Sequence, residues 1–202
     1  MKETVNVKII YSFYHTSVKA ELKRRGFSKE VAKKISEEHK KIMNRAKDIG
    51  KSRLLSSYIM GSYFIAMNRS TGKSPEENYE IFKEGLCASR LFHKVMVDAN
   101  VYLDPKKMPG RLQWSKDSHK HQYENDWVVD ILPGNDMYDL GYDYHECGIC
   151  KLCQDEGCLE LTAYLCRMDF VIADIMDMKL ERTKTIANGD PYCDFRYSKK
   201  NK

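Results

Sequence analysis

The sequence predicts an α+β fold in which a helical N-terminal half is followed by a small antiparallel sheet with a covering helix. Three observations support this fold class. Apolar residues recur at helical spacing through residues 1–104, residues 105–124 are polar, and short strand-like segments with turn signals follow. We therefore divide the chain into a helical region, 1–104, and a cysteine-rich α+β region, 121–202, and expect them to pack as one compact unit.

Four helices are predicted in the N-terminal half from apolar periodicity and from start and stop residues. Ser28 is the expected N-cap of the second helix, and Gly72 ends the third. The clearest start is Ser74, which is followed by Pro75 and Glu77 in a capping-box arrangement. The predicted helices cover residues 5–25, 28–48, 53–68 and 74–98.

The C-terminal half carries both strand and helix signals. Residues 105–124 are interpreted as a connecting loop. Alternation over residues 142–146 predicts a strand that delivers Cys147 at its end. The dipeptide Asn188-Gly189 predicts a tight hairpin turn. The remaining predictions are a strand at 127–132, a helix at 159–178 and two hairpin strands at 180–187 and 192–197.

The composition is that of an ordinary globular protein, with 42% hydrophobic and 31% charged residues. The formal net charge is +5, and glutamates are mixed with the lysines of residues 19–51, so we predict a solvated helix face and no nucleic-acid partner. No apolar run approaches the roughly 18 residues of a membrane span, and the N-terminus is a poor signal peptide. We therefore expect a cytoplasmic protein without membrane association. The apolar segment 53–68 allows either a core helix or a homodimer interface.

Seven cysteines are the first feature that requires a functional explanation. In a cytoplasmic chain, clustered thiols indicate metal binding or catalysis more often than disulfides. Cys147, Cys150 and Cys153 have the C-x2-C-x2-C spacing of iron–sulfur ligands. The interval to Cys158 is longer than that pattern requires and no proline follows, which argues against such a cluster.

Zinc is a second alternative for the same residues. Cys147 and Cys150 supply half of a tetrahedral site, and Cys166 or Cys193 would complete it. The cofactor is therefore predicted to be either zinc or none. Three of the thiols are better interpreted as small buried hydrophobes, namely Cys87, Cys153 and Cys158.

Cys166 and Asp169 are three residues apart on a predicted helix, so their side chains share a face. A carboxylate beside a thiol disfavours the thiolate. Asp169 is therefore better suited to holding a cationic substrate group or a metal than to activating Cys166. Arg182 lies on a predicted strand, where it either binds a substrate carboxylate or is a surface charge.

Five short blocks complete the pattern. They are Tyr144-His145-Glu146-Cys147-Gly148-Ile149-Cys150, Leu165-Cys166-Arg167-Met168-Asp169, Arg182-Thr183-Lys184-Thr185, Asn188-Gly189 and Cys193-Asp194-Phe195-Arg196. Their order and spacing resemble the C-terminal signature of the L-2-amino-thiazoline-4-carboxylic acid hydrolase family. The resemblance marks Cys147, Cys150, Cys166, Asp169, Arg182, Thr185, Gly189, Cys193 and Asp194, whereas Cys153 and Cys158 match no part of the family pattern.

The resemblance implies a hydrolase that opens a cyclic C–N bond of a small amidine-like substrate, such as L-2-amino-thiazoline-4-carboxylate, to give a carbamoyl-cysteine. Asp169 or Asp194 would bind the amidinium and move protons. Arg182, with Thr185, would bind the substrate and its carboxylate. The nucleophile would be Cys166 or Cys193, or else water on a metal held by some of Cys147, Cys150, Cys166 and Cys193.

A different functional class stays open beside the hydrolase, namely a non-catalytic metal- or ligand-binding sensor. The two differ in which side chains must converge. An enzyme of the proposed kind needs Asp169, Arg182 and Asp194 to meet a thiol at one pocket, whereas a sensor or structural metal module needs only the cysteines to meet.

Overall fold

A computed structural model describes residues 4–200 and confirms the predicted α+β class. Helices dominate the N-terminal half, and a four-stranded antiparallel sheet with further helices forms the C-terminal half. The helices are α1 (Val5–Arg24), α2 (Lys29–Arg45), α3 (Leu55–Thr71), α4 (Pro75–Cys87), α5 (Arg90–Val95), α6 (Ala99–Tyr102), α7 (Met108–Ser118), α8 (Gly148–Asp155) and α9 (Thr162–Ile175). The strands are β1 (Val128–Pro133), β2 (Leu140–Glu146), β3 (Met178–Glu181) and β4 (Cys193–Lys199). In this described part of the chain, no helix combines the length and apolar character needed to cross a bilayer.

The predicted start of α4 is confirmed in detail. The Ser74 side chain accepts a hydrogen bond from the backbone N–H of Glu77, and the Glu77 carboxylate accepts one from the backbone N–H of Ser74 at 3.0 Å. Both otherwise unpaired donors are thereby satisfied. Gly72 ends α3 with a φ of 69°, a left-handed conformation that glycine adopts without steric cost.

The prediction of a single helix over residues 74–98 is wrong. The observed helix, α4, ends at Cys87, and the Ser89 side chain then accepts a hydrogen bond from Phe92 N–H to begin α5. Asp98 caps α6 in the same way. Apolar periodicity continues across both interruptions, but the short polar side chains compete for the backbone donors and restart the helix each time.

The connecting loop predicted at 105–124 is also wrong over residues 105–118. Asp104 caps a short 3-10 helix, Pro105–Lys107, which leads directly into α7. The prolines that were expected to break structure instead occupy first-turn positions, where a helix needs no backbone donor.

The sheet has the strand order β1-β2-β4-β3, with every neighbouring pair antiparallel. Strands β3 and β4 pair as predicted, but their connection is not a two-residue hairpin. It is an eleven-residue loop, 182–192, that contains the 3-10 helix Ile186–Asn188 and ends that helix at Gly189, whose φ is 90°. Arg182, Thr183 and Thr185 therefore lie in a loop, and the strand alternation predicted for them does not apply.

Two hydrophobic cores meet along α9. The first is built around α3, whose residues from Tyr58 to Met67 are buried among the other helices, which favours the core interpretation of segment 53–68. The second lies between the inner face of the sheet and α9. Leu165 of α9 packs in the first core and Ala173 in the second. The junction of the two cores contains the cavity described next.

Candidate active site

A cavity of about 190 Å³ lies between α9, the start of α3 and the inner face of β2 and β4. Its walls are largely aromatic and aliphatic, which lowers the local dielectric and strengthens interactions with the few polar groups present. Those polar groups include three thiols and one carboxylate, from Cys147, Cys166, Cys193 and Asp169. The aromatic lining comes from Tyr102, Trp127, Tyr144, Phe195 and Tyr197.

Cys147 is held by regular structure on both sides. It follows the last residue of β2, as predicted, and is the N-cap of α8. The backbone after it is tightly enclosed, because a Cβ at Gly148 would lie 2.6 Å from both the carbonyl oxygen of Asn125 and Cζ3 of Trp127. Only glycine fits at that approach, so the position of the Cys147 thiol is fixed by packing as well as by secondary structure.

The surroundings favour the thiolate form of Cys147. The Cys150 thiol, one turn into α8, hydrogen-bonds Cys147 and lowers its pKa, and the backbone N–H groups of Cys150 and Ile149 act in the same direction. Burial opposes this effect without reversing it. A thiol at a helix N-terminus with such donors is a stronger nucleophile at neutral pH than an ordinary cysteine.

The other two cavity thiols have the opposite environment. Burial raises the pKa of Cys166, and the neighbouring Asp169 carboxylate raises it further. Burial also raises the pKa of Cys193 to about 11, although its Sγ accepts a hydrogen bond from Ile186 N–H at 3.2 Å. Both thiols are therefore held protonated at neutral pH, which disfavours the nucleophilic role predicted for them.

Asp169 is the acidic group of the cavity. Its side chain keeps 30% of its surface exposed because it faces the cavity, while its partner Arg182 is only 6% exposed. An Nη atom of Arg182 donates to the Asp169 carboxylate at 2.7 Å, and the other donates to the Cys166 carbonyl at 3.0 Å. Burial raises the pKa of Asp169 to about 6, even though Arg182 acts to lower it. The carboxylate is therefore poised between its two protonation states near neutral pH.

Arg182 supports Asp169 from behind the cavity rather than facing the open space. Its guanidinium lies 4.9 Å from the ring centroids of both Phe170 and Phe195, and its two Nη atoms donate to Asp169 and to the Cys166 carbonyl. Arg182 does not line the cavity, so its predicted role as the clamp for a substrate carboxylate gains no support from this arrangement.

Asp194 and Thr185 lie away from the cavity. Asp194 is on the opposite sheet face from Cys193 and accepts three hydrogen bonds from the preceding loop, at 2.8 and 2.6 Å from the N–H and hydroxyl of Thr183 and at 2.5 Å from Lys184 N–H. Thr185 is buried, and its hydroxyl accepts from Asn188 N–H to cap the 3-10 helix. Both side chains organise the loop that carries Arg182. Of the three polar residues expected to converge, Asp169 lines the cavity, Arg182 supports Asp169 from behind, and Asp194 lies away from both.

The predicted metal alternative gains no support from the arrangement of donors. Within residues 4–200, no group of three or more His, Cys, Asp or Glu side chains is arranged to hold a metal ion. Cys150 is buried behind Cys147 and does not line the cavity. Cys153 and Cys158 are buried as predicted, whereas Cys87 is exposed. All seven cysteines are free thiols.

Sequence reasoning missed α8 and, with it, the helical environment of Cys147. The signal was present, because a strand that ends in Cys-Gly and continues into Ile-Cys-Lys-Leu-Cys has apolar residues at helical spacing. Tyr102 was also missed as a lining residue, since it lies more than forty positions before Cys147 and only the packing of α6 on the sheet brings it to the cavity.

The comparison with protein families agrees with this geometry. The family model described as L-2-amino-thiazoline-4-carboxylic acid hydrolase matches residues 52–197, which include every residue lining the cavity. No curated protein and no solved structure matches the chain. The match extends over most of the 202 residues, and the chain therefore belongs to the L-2-amino-thiazoline-4-carboxylic acid hydrolase family.

Proposed function

We propose that the protein is a cysteine-dependent hydrolase that opens the ring of a small cyclic isothiourea of the 2-amino-thiazoline-4-carboxylate type. The observation that carries this proposal is the Cys147 thiol, whose lowered pKa and position at the start of α8 aim a nucleophile into a cavity that also holds a carboxylate. The family description supports the same reaction class.

The first step is attack of the Cys147 thiolate on the ring carbon between the two nitrogens and the sulfur. A new C–S bond forms to Cys147, and the ring C–S bond breaks with its electron pair going to the departing thiolate, which takes a proton from water. We assign cleavage to the C–S bond instead of the C–N bond expected from sequence, because a thiolate is a far better leaving group than an amide anion. The intermediate is an isothiourea on Cys147.

The second step is hydrolysis of that intermediate. Water adds to the same carbon, the bond to Cys147 breaks to regenerate the thiolate, and a proton released in this step neutralises the hydroxide left by the first. One water molecule is consumed in total, and the product is an N-carbamoyl-cysteine. The lowered pKa of Cys147 assists this step as well, because it makes Cys147 a better leaving group than an ordinary cysteine.

Asp169 is proposed to bind the cationic amidine group of the substrate. Its ionised carboxylate has one oxygen paired with Arg182, which leaves the other available to accept an N–H of the substrate. This contact orients the electrophilic carbon and also keeps the substrate protonated, which makes that carbon more reactive.

The test is a turnover assay with L-2-amino-thiazoline-4-carboxylate, combined with intact-mass analysis of acid-quenched protein. We expect N-carbamoyl-cysteine to form and a substrate-derived adduct to map to Cys147. A matched Cys166→Ser variant should still form the adduct. Turnover that survives in Cys147→Ser and is lost on exhaustive chelation would instead support the metal-bound water mechanism.

A further inference from the structure

A second, larger cavity of about 510 Å³ adjoins the active-site cavity. The two share Leu54, Tyr102 and Tyr144 as common walls, so they are direct neighbours. We call the second space the mouth cavity. It is formed by the residues before α3, the turn before α7, α7 itself and the inner face of β2.

The mouth cavity is strongly basic. Four of its ten lining residues are cations, and none is acidic. The cations are Arg53, Lys106, Lys107 and Arg111. The nearest acidic residue in sequence is Asp104, whose carboxylate caps the Lys106 backbone N–H at 2.9 Å and does not line the cavity.

Arg111 is the most informative of these cations. It is only 6% exposed, yet its guanidinium donates to the carbonyl oxygens of Tyr102 and Asp104 and pairs with no carboxylate among the described residues. Buried charges in proteins are normally paired, because an uncompensated one carries a large desolvation cost. The two carbonyl groups and the Tyr102 ring, whose centroid lies 5.5 Å from the guanidinium, offset part of that cost. They carry no negative charge, and a bound anion would supply one.

Arg53, at the other side of the mouth cavity, is exposed but likewise donates to a backbone carbonyl and contacts an aromatic ring. Its guanidinium lies 5.7 Å from the centroid of Trp114 and donates to the Gly110 carbonyl at 2.9 Å. In the active-site cavity itself, by contrast, the nearby cation is Arg182, which Asp169 already occupies. The anionic part of a substrate therefore has better partners in the mouth cavity than beside the thiols.

We propose that the mouth cavity binds a multiply charged oxyanion, a phosphate ester or a di- or tricarboxylate, attached to the part of the substrate that the thiol does not attack. This inference rests on the proposed function for the identity of the reacting end. Four cations without an acidic neighbour exceed what one carboxylate neutralises, and 510 Å³ is more space than one carboxylate fills. The natural substrate is accordingly larger and more acidic than a simple thiazoline carboxylate.

The experiment measures anion binding to the full-length Cys147→Ala protein, which cannot turn over, by calorimetry and by the fluorescence of Trp114. Inorganic phosphate, citrate and acetate are the probes. We expect phosphate or citrate to bind at least about tenfold more tightly than acetate, and Arg53→Gln or Arg111→Gln to weaken that binding about tenfold. Arg90→Gln removes an exposed arginine that lines neither cavity and should leave binding unchanged.

Phosphate and citrate distinguish the sources of the oxyanion. Tighter binding of phosphate indicates a phosphate ester, and tighter binding of citrate indicates a polycarboxylate. Equal and weak binding of all three probes, or binding insensitive to Arg53→Gln, overturns the inference. Arg53 is exposed, so this variant stays informative even if Arg111→Gln fails to fold. Because no turnover is measured, loss of the proposed hydrolase activity with anion binding intact overturns the proposed function alone.

Discussion

Two pairs of thiols lie within residues 147–158. In each pair one thiol hydrogen-bonds the other, but the surroundings of the two pairs differ. In the cavity pair, Cys150 hydrogen-bonds Cys147, which raises the pKa of Cys150 and lowers that of Cys147. In the core pair, Cys153 does the same for Cys158. A lowered thiol pKa alone therefore does not distinguish the two pairs.

The difference lies in what each activated thiol faces. Cys147 is half-buried at the wall of a cavity that contains Asp169. Cys158 is 7% exposed and packs in the helical core, where its nearby cation, Arg69, is held at 2.7 Å by Glu156. The comparison teaches that a thiol with a lowered pKa can act in catalysis only where a substrate can reach it. A second polar group must also be present there to bind that substrate.

The largest expected effect is on Cys147 itself. Cys147→Ser should lower kcat/KM by about 10³-fold or more, because it removes the nucleophile. Cys158→Ser should leave kcat per folded molecule within about threefold of wild type, because Cys158 touches no substrate. Steady-state kinetics on both variants measures these changes in kcat and kcat/KM, and circular dichroism checks that both variants are folded. Equal losses in the two variants would remove the distinction between the pairs.

The next largest effect concerns Asp169, the carboxylate that lines the cavity with Cys147, whereas the core pair does not line that cavity. Asp169→Asn should lower kcat/KM by about 10²-fold, because the neutral amide no longer binds the amidinium as an ion pair. In the wild type, the pKa of Asp169 is raised to about 6, and the ionised form is the one that binds. Activity should therefore fall as the pH drops through 6, and Asp169→Asn should lack this limb of the pH profile. A profile that instead rises below pH 6 would make Asp169 a proton donor.

Substitution in the core pair, Cys153 and Cys158, should lower the stability of the fold and leave catalysis unchanged. Cys153 is fully buried, so Cys153→Ser should lower the free energy of unfolding by about 1–3 kcal/mol, the range for burying a hydroxyl in place of a less polar group. Its kcat should be unchanged. Urea denaturation followed by circular dichroism measures the first quantity, and Cys87→Ser, at an exposed position, is the matched control. A loss of kcat without a loss of stability in Cys153→Ser would mean that the core pair also serves catalysis.

The smallest expected effect is a difference in alkylation rate. At pH 7, iodoacetamide should label Cys147 about tenfold faster than Cys87, although Cys87 is more exposed, because burial raises the pKa of Cys87 while Cys150 lowers that of Cys147. Peptide mapping by mass spectrometry resolves the sites. Cys150→Ala should shift the labelling of Cys147 to higher pH, and an unshifted profile would show that Cys150 does not tune it.

Much of the architecture was accessible from the sequence because local signals dominated it. The capping box at Ser74 and the strand that ends just before Cys147 are encoded within a few residues and are confirmed. The errors came where apolar periodicity or a turn signal conflicted with polar side chains that bond the backbone. Asn188-Gly189 is a good hairpin turn in isolation, but Asp194 and Asp190 bind the backbone of the connection and hold it as a longer loop.

The candidate site was predicted in part for the same reason. Cys166 and Asp169 share a helix face by simple periodicity, and both line the cavity. The charge pairing of Arg182 and the activation of Cys147 depend on distant contacts and on an unpredicted helix, so spacing alone could not assign them. The catalytic and binding roles of the site residues stay predictions until the variants above are measured.

The site is divided between segments that should open at different free energies. Cys147 joins the end of β2, an inner strand of the sheet, to a helix that packs on α3, whereas Arg182 is carried by a loop held largely through Asp194. Hydrogen exchange should accordingly be slow beside the thiol and fast in the loop. On warming, we expect the ion pair between Asp169 and Arg182 to break while the sheet is still intact. The Asp169 charge is then no longer balanced, so inactivation should precede unfolding.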